Sequence, residues 1–187
     1  MLRYIAAVLL CVSTSQAIVT GSPQGSINDT FLSNRTYGGS GFVASKLLNL
    51  GTPGAFYNLF LLVNITTNTL NIYPARFVFD VASPIAKVSY TIYLNPVISS
   101  SGTVQAITNT YFGGVAASTA PVAQLYYTPS LVSLGTLIGA YSAYGQNSQI
   151  VDTNFSSVLA PGSKLLIRAS PSAATNATTT LSWVEGQ

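Results

Sequence analysis

The chain states one phrase twice. Tyr93-Leu-Asn-Pro96-Val-Ile-Ser-Ser-Ser-Gly102-Thr103 returns as Tyr126-Tyr-Thr-Pro129-Ser-Leu-Val-Ser-Leu-Gly135-Thr136. In both copies Tyr precedes Pro by three residues and Pro precedes Gly by six. Proline fixes φ and donates no ladder hydrogen bond, while glycine reaches backbone angles closed to other residues. A chain with this spacing beside apolar runs must leave a strand, turn and start another. The spacing predicts two equivalent strand–turn–strand units within one β-structure.

The same punctuation runs through the rest of the sequence. Short apolar runs cover Phe42–Leu50, Ala55–Thr66, Ile72–Val81, Ala86–Leu94, Thr103–Phe112, Val122–Thr128, Thr136–Tyr144, Ser157–Leu159, Lys164–Ala169 and Thr178–Glu185. Val, Ile, Thr, Tyr and Phe fill them, and Gly or Pro interrupts most windows long enough for a helix. Phe60-Leu-Leu-Val63 is apolar throughout, the mark of a strand buried on both faces. Val88, Tyr90 and Ile92 alternate with Lys87, Ser89 and Thr91, the mark of a strand with one wet face. Leu181 and Trp183 share a face and belong in the core. The expected fold is all-β: an antiparallel, jelly-roll-like β-sandwich of about nine or ten short strands over residues 42–187.

The N-terminus reads differently. Arg3, the apolar run Ile5–Val12 and Ser15-Gln16-Ala17 form a signal-like segment over residues 1–17. Its apolar run is too short for a stable membrane span. Residues 18–41, with Tyr37-Gly-Gly-Ser-Gly41, read as a flexible Gly/Ser/Asn-rich arm.

Charge excludes several partners. Only 6% of the 187 residues are charged, against about 25% in an average globular domain. The seven basic residues are scattered, so no stripe can neutralise nucleic-acid phosphates.

Candidate chemistry is sparse. There is no His, and the one Cys, Cys11, lies in the signal-like segment. That removes Ser–His and Cys–His catalysis and thiolate metal sites from the mature chain. No cofactor-binding glycine motif or Asp-rich metal loop is present, so no catalytic, cofactor or metal residue is assigned. The acids are Asp29, Asp80, Asp152 and Glu185. Asp80 lies four residues from Arg76 on one strand face, and the two are read as an ion pair. Ser163-Lys164 follows Pro161-Gly162 and reads as a hairpin turn rather than a Ser–Lys dyad.

Two sets of residues have binding potential. Asn28, Asn34, Asn64, Asn154 and Asn176 each open an N-x-Ser/Thr sequon, an acceptor of N-glycosylation in a host that performs it. Tyr126 and Tyr127 are adjacent in a strand, so one faces outward as an interface anchor or a glycan contact.

The repeated Tyr-x-x-Pro-x(5)-Gly-Thr units, with the closing Pro161-Gly-Ser-Lys-Leu-Leu-Ile-Arg168 and Leu181-Ser-Trp-Val-Glu185, resemble small β-sandwich structural proteins of tailed bacteriophages and related viruses. These are described as head-decoration or fibre-type proteins. The resemblance covers about residues 42–185 and implies a non-enzymatic assembly protein on a virus-like particle or fibre. It implies self-association, as a trimer or filament, or docking on the particle. The signal-like segment and the sequons depart from that family. They point to a secreted filament subunit or adhesin with a strand-exchange arm, at an extracellular surface. A carbohydrate-binding module using exposed Tyr is a third reading.

Overall fold

A computed structural model describes residues 41–109, 121–152 and 158–186. The signal-like segment and nearly all of the arm lie outside these residues. The described chain is all-β, with no helix and with antiparallel sheets in a sandwich. In order, the strands are β1 (Gly41–Leu50), β2 (Tyr57–Asn64), β3 (Asn71–Val81), β4 (Lys87–Leu94), β5 (Val97–Ser100), β6 (Thr103–Val104) and β7 (Thr108–Asn109). They continue as β8 (Ala123–Tyr127), β9 (Ser130–Ser133), β10 (Thr136–Tyr144), β11 (Gln149–Asp152), β12 (Lys164–Pro171) and β13 (Thr175–Gly186). Among the described residues thirteen strands stand where the sequence predicts nine or ten. The excess has a specific origin: both Pro-to-Gly segments are strands themselves, β5 and β9. The run from Thr103 also breaks into the two-residue β6 and β7.

One sheet has the order β11-β3-β13-β1-β7, and the other β10-β4-β12-β2-β8-β6. Their facing sides make the core. Val88, Tyr90 and Ile92 point inward from β4, as their alternation requires. Leu181 and Trp183 do so from β13. Phe79 stacks on Tyr90 at 4.1 Å between ring centroids, and Phe42 on Trp183 at 5.9 Å. Burial, with the Asp80 charge as a second cause, pushes the Tyr90 phenol far above its ordinary value. A carboxylate also ties the sheets together. Glu185, buried at the end of β13, accepts from the backbone N–H groups of Val122 and Ala123 at 2.8 and 2.9 Å, and from Trp183 Nε1 at 3.1 Å. Three donors offset the cost of burying that group.

The repeat builds a third layer, outside the two sheets of the sandwich. β5 runs from the end of β4 to β6, and β9 from the end of β8 to β10. In sheet order, β12, β2 and β8 separate β4 from β6; β2, β12 and β4 separate β8 from β10. Each connection therefore crosses the sheet. The inner face is filled, so both cross the outer face, where they pair with each other as a two-stranded ribbon. This explains why Phe60–Val63 of β2 is apolar throughout. Phe60 and Leu62 point into the core, whereas Leu61 lies outside it yet is 0% exposed. Leu61 sits opposite Leu166 of β12, equally buried. Covering these two leucines contributes on the order of 2 kcal/mol each.

The two crossings are reciprocal. Thr103 and Val104 of the first copy pair with Tyr127 and Tyr126 of the second. Thr136 and Leu137 of the second pair with Leu94 and Tyr93 of the first. At the centre Ile98 lies opposite Leu131, flanked by the mates Val97–Ser133 and Ser100–Ser130. A local two-fold axis thus relates the copies, and the backbone obeys it. Asn95 and Thr128 have φ of 54° and 53°, and Gly102 and Gly135 have φ of 85° and 78°. A Cβ on Gly102 would lie 2.3 Å from the Tyr127 carbonyl oxygen, and one on Gly135 at 2.3 Å from that of Leu94.

Gly102→Ala and Gly135→Ala are each expected to destabilise the fold by roughly 3 kcal/mol or more, the sum of a left-handed backbone penalty and a steric overlap. Gly54→Ala has the same kind of φ, 73°, but nothing within 4 Å of the added carbon. It should cost only about 1 kcal/mol. Urea denaturation of the three variants checks this, and equal losses would contradict the reciprocal contact.

Candidate functional site

The outer face of the six-stranded sheet is where the described residues concentrate exposed apolar surface. With Val88, Tyr90 and Ile92 pointing inward, Tyr93 points outward from β4. With Ala123 and Leu125 inside, Gln124 and Tyr126 point outward from β8, and Tyr126 Oη donates to Gln124 Oε1 at 2.6 Å. Leu137 lies opposite Tyr93, and Val104 opposite Tyr126, the same pair generated twice by the local axis. Between them runs the ribbon. Val104 and Val132 are 72% and 70% exposed, and Leu137 and Val97 are 54% and 52% exposed.

The face is also nearly free of charge. Between Lys87 and Lys164 the sequence carries one charged residue, Asp152. That residue belongs to β11 in the other sheet, where Arg76 Nε holds it at 2.6 Å. Lys87 and Lys164 open β4 and β12, and Arg168 lies mid-way along β12 with its guanidinium over the Phe56 ring. An apolar, tyrosine-bearing surface with few charges is the composition of the core of protein interfaces. β10 adds a sheet edge of nine residues, Thr136–Tyr144, without Lys, Glu, Asp or Pro, the residues that guard edges in monomers. Its one interruption is a bulge between Leu137 and Gly139.

The adjacent tyrosines divide as strand geometry requires. Tyr126 is the outward one. Tyr127 packs against the core, with Lys46 Nζ 4.1 Å from its ring centroid.

The sequons separate sharply. Asn28, Asn34 and Asn154 lie outside the described residues. Asn176 is exposed on β13. Asn64 is 0% exposed, and its Nδ2 donates to the carbonyls of Leu70 at 2.9 Å and Leu159 at 2.7 Å. Its Oδ1 accepts from Asn68 at 3.0 Å. The expectation of a glycan on Asn64 is therefore corrected: that nitrogen is engaged inside the fold, and the sequon is a structural asparagine.

The expected Arg76–Asp80 pair is also corrected. Residues four apart on a strand share a face but are separated by about four rises of 3.3 Å. A direct cross-strand neighbour is far closer. Arg76 pairs across to Asp152, its register partner, and Asp80 accepts from the Ser148 hydroxyl. The sequence shows Glu185 only as one of four acids and assigns it no role; its structural role comes from the fold. The Trp-x-Glu spacing placed it on the same face as Trp183 and was the available signal.

No protein-family model matches the chain, and no curated protein sequence does. Among solved structures, one of infectious bursal disease virus, Gt strain, is 11% identical over 77% of this chain and 41% of that chain, with a TM-score of 0.18. A crystal structure of the particle of that virus is 8% identical over 79% of this chain and 39% of that chain, with a TM-score of 0.17. The likeness to viral capsid proteins is faint. This chain spans about two fifths of their length.

Asn64→Ala is expected to cost roughly 2–4 kcal/mol, because the two buried carbonyls lose their donor. Asn176→Gln should stay within about 0.5 kcal/mol of wild type. Thermal melting of the two variants distinguishes a structural Asn64 from a surface one.

Proposed function

We propose that this chain is a non-enzymatic structural protein, an oligomeric β-sandwich displayed on a virus-like particle, fibre or surface. The crossed outer face is its assembly surface. One observation carries the reading: the crossing ribbon, β6 and β10 expose Val97, Val104, Val132 and Leu137 across a region whose chain, from Val88 to Ser163, carries one charged residue, Asp152, in the other sheet. Left in water such a patch is a liability, and covered by another protein surface it is a source of affinity. The local two-fold axis presents the Tyr–aliphatic pair at both ends of the face. It thereby doubles the anchors available to one partner. Self-association in a trimer or a filament fits this arrangement, in a virion or at an extracellular surface.

A second reading has its own support. β1 is paired along its full length with β13, but on its other side β7 covers only Phe42 and Val43. Among the described residues Ala44–Leu50 therefore presents an open edge, and the Gly/Ser/Asn-rich arm joins β1 at Gly41. In a secreted filament subunit or adhesin, the arm of one copy would add a strand to this edge of the next.

Sedimentation velocity tests the first reading. The wild-type chain should form a discrete oligomer that Val132→Lys and Leu137→Lys each weaken at least tenfold, since a lysine buried without a partner is costly. Both side chains are exposed in the protomer, so each variant should melt as wild type does. A wild-type chain that stays monomeric at every concentration, or an oligomer indifferent to both substitutions, contradicts it.

A further inference from the structure

Among the described residues β10 pairs with β4 alone, so its other side is an open strand edge. The backbone bonds around it fix which groups that edge presents. In an antiparallel ladder, residues that bond one neighbour alternate with residues that face the other side. The Asn95 N–H donates to the Lys164 carbonyl at 2.8 Å, and the Lys87 carbonyl accepts from the Ser172 N–H at 2.7 Å. Odd-numbered residues of β4 therefore face β12, and even-numbered ones face β10. Val88, Tyr90 and Ile92 lie opposite Ala143, Tyr141 and Gly139. The Gly145 N–H, donating to the Ala86 carbonyl at 3.0 Å, continues the same alternation. Ala140, Ser142 and Tyr144 are left with N–H and C=O groups aimed at the open side. Donors and acceptors at that spacing match an extended strand.

The side chains select which strand. From Gly139 to Tyr144 the edge is regular, because the bulge lies before it. It carries no charge, the device that commonly guards an edge in a monomer. The neighbouring cation is Lys87, the register partner of Tyr144 at the last position of the strand, with Nζ 5.2 Å from the Tyr144 ring centroid. A contact between two copies about a two-fold axis must be complementary to itself, and this edge is.

With a second β10 laid antiparallel and the axis at Tyr141, Ala140 faces Ser142 of the second copy, and Ser142 faces its Ala140. These are the residues whose backbone groups point across. Ile138 and Tyr144, 40% and 57% exposed, face each other at both ends. Aliphatic–aromatic pairs of this kind stabilise neighbouring strands. On the inner side the two Tyr141 rings meet at the axis. Each is already held in place: it packs over Gly139, where a Cβ would lie 2.8 Å from the ring, and its centroid is 6.3 Å from that of Phe79. The two Lys87 side chains fall at opposite ends, so the copies meet without like charges in contact. Moving the axis to Ala140 keeps the backbone alternation but sets Ile138 against Ser142. Moving it to Ser142 sets Ile138 beyond the end of the partner strand.

We infer that β10 of one copy pairs antiparallel with β10 of a second copy about an axis at Tyr141, joining the two six-stranded sheets edge to edge. The inference rests on the reading that the chain self-associates, and it names the partner and the register at this edge.

Disulfide trapping in the full chain, on a Cys11→Ser background, tests the register, since directly opposite residues of paired strands come within disulfide reach. A mixture of Ala140→Cys and Ser142→Cys chains should oxidise to a covalent dimer containing one chain of each kind, at least tenfold faster than either variant alone. Ala140→Lys should weaken the edge-paired dimer at least tenfold in sedimentation velocity. Ala140 is exposed, so this variant should melt as wild type does. If the chain self-associates through Val132 but the mixture oxidises no faster than the separate variants, the inference is overturned and the assembly reading stands. Either cysteine variant dimerising alone as fast as the mixture moves the axis and also overturns it. A chain that is monomeric at every concentration overturns both.

Discussion

Two backbone crossings that hold each other down are the constraint on which the rest of this structure depends. Gly102 can approach the Tyr127 carbonyl only because it lacks a Cβ, and Gly135 approaches the Leu94 carbonyl for the same reason. These contacts set the register of β6 on β8 and of β10 on β4. That register sends β5 and β9 over the sheet, where their pairing shields Leu61 and Leu166. Lifting either crossing exposes apolar surface and leaves the other without its partner strand. The sandwich thus gains a third layer from eleven-residue phrases that contain few large side chains.

The consequences for function follow from what that layer shows to water. A ribbon laid over an apolar sheet uses one side of each strand for burial and turns the other outward. Here the outward side carries Val97 and Val132, with Val104 and Leu137 on the flanking strands. Charge is sparse, with Lys87 and Lys164 at strand starts. The same economy leaves Arg168 against the Phe56 ring rather than a carboxylate.

Much of the fold was legible in the residues, and the reasons are local. Alternation placed Val88, Tyr90 and Ile92 correctly, and the Leu–Ser–Trp spacing placed Leu181 and Trp183. The unbroken run Phe60–Val63 announced burial on both faces without saying what covered the second. The repeat itself was plain, but its Pro-to-Gly interior read as a turn. Five residues with two or three serines carry no strand signal alone, and β5 and β9 become strands only by finding each other across the sheet. The misassigned Arg76 partner and the glycan expected on Asn64 have the same root. Asp152 is a neighbour of Arg76 only through strand order, and Asn64 is buried only because Leu70 and Leu159 return to it.

Hydrogen exchange followed by mass spectrometry at low and high protein concentration addresses the central claim most directly. If the crossed face assembles, amides of residues 97–104 and 130–138 should exchange markedly more slowly at high concentration, while those of β11 and the open stretch of β1 stay unchanged. Protection that grows instead along Ala44–Leu50, or nowhere, would contradict the account and move the assembly surface away from the ribbon.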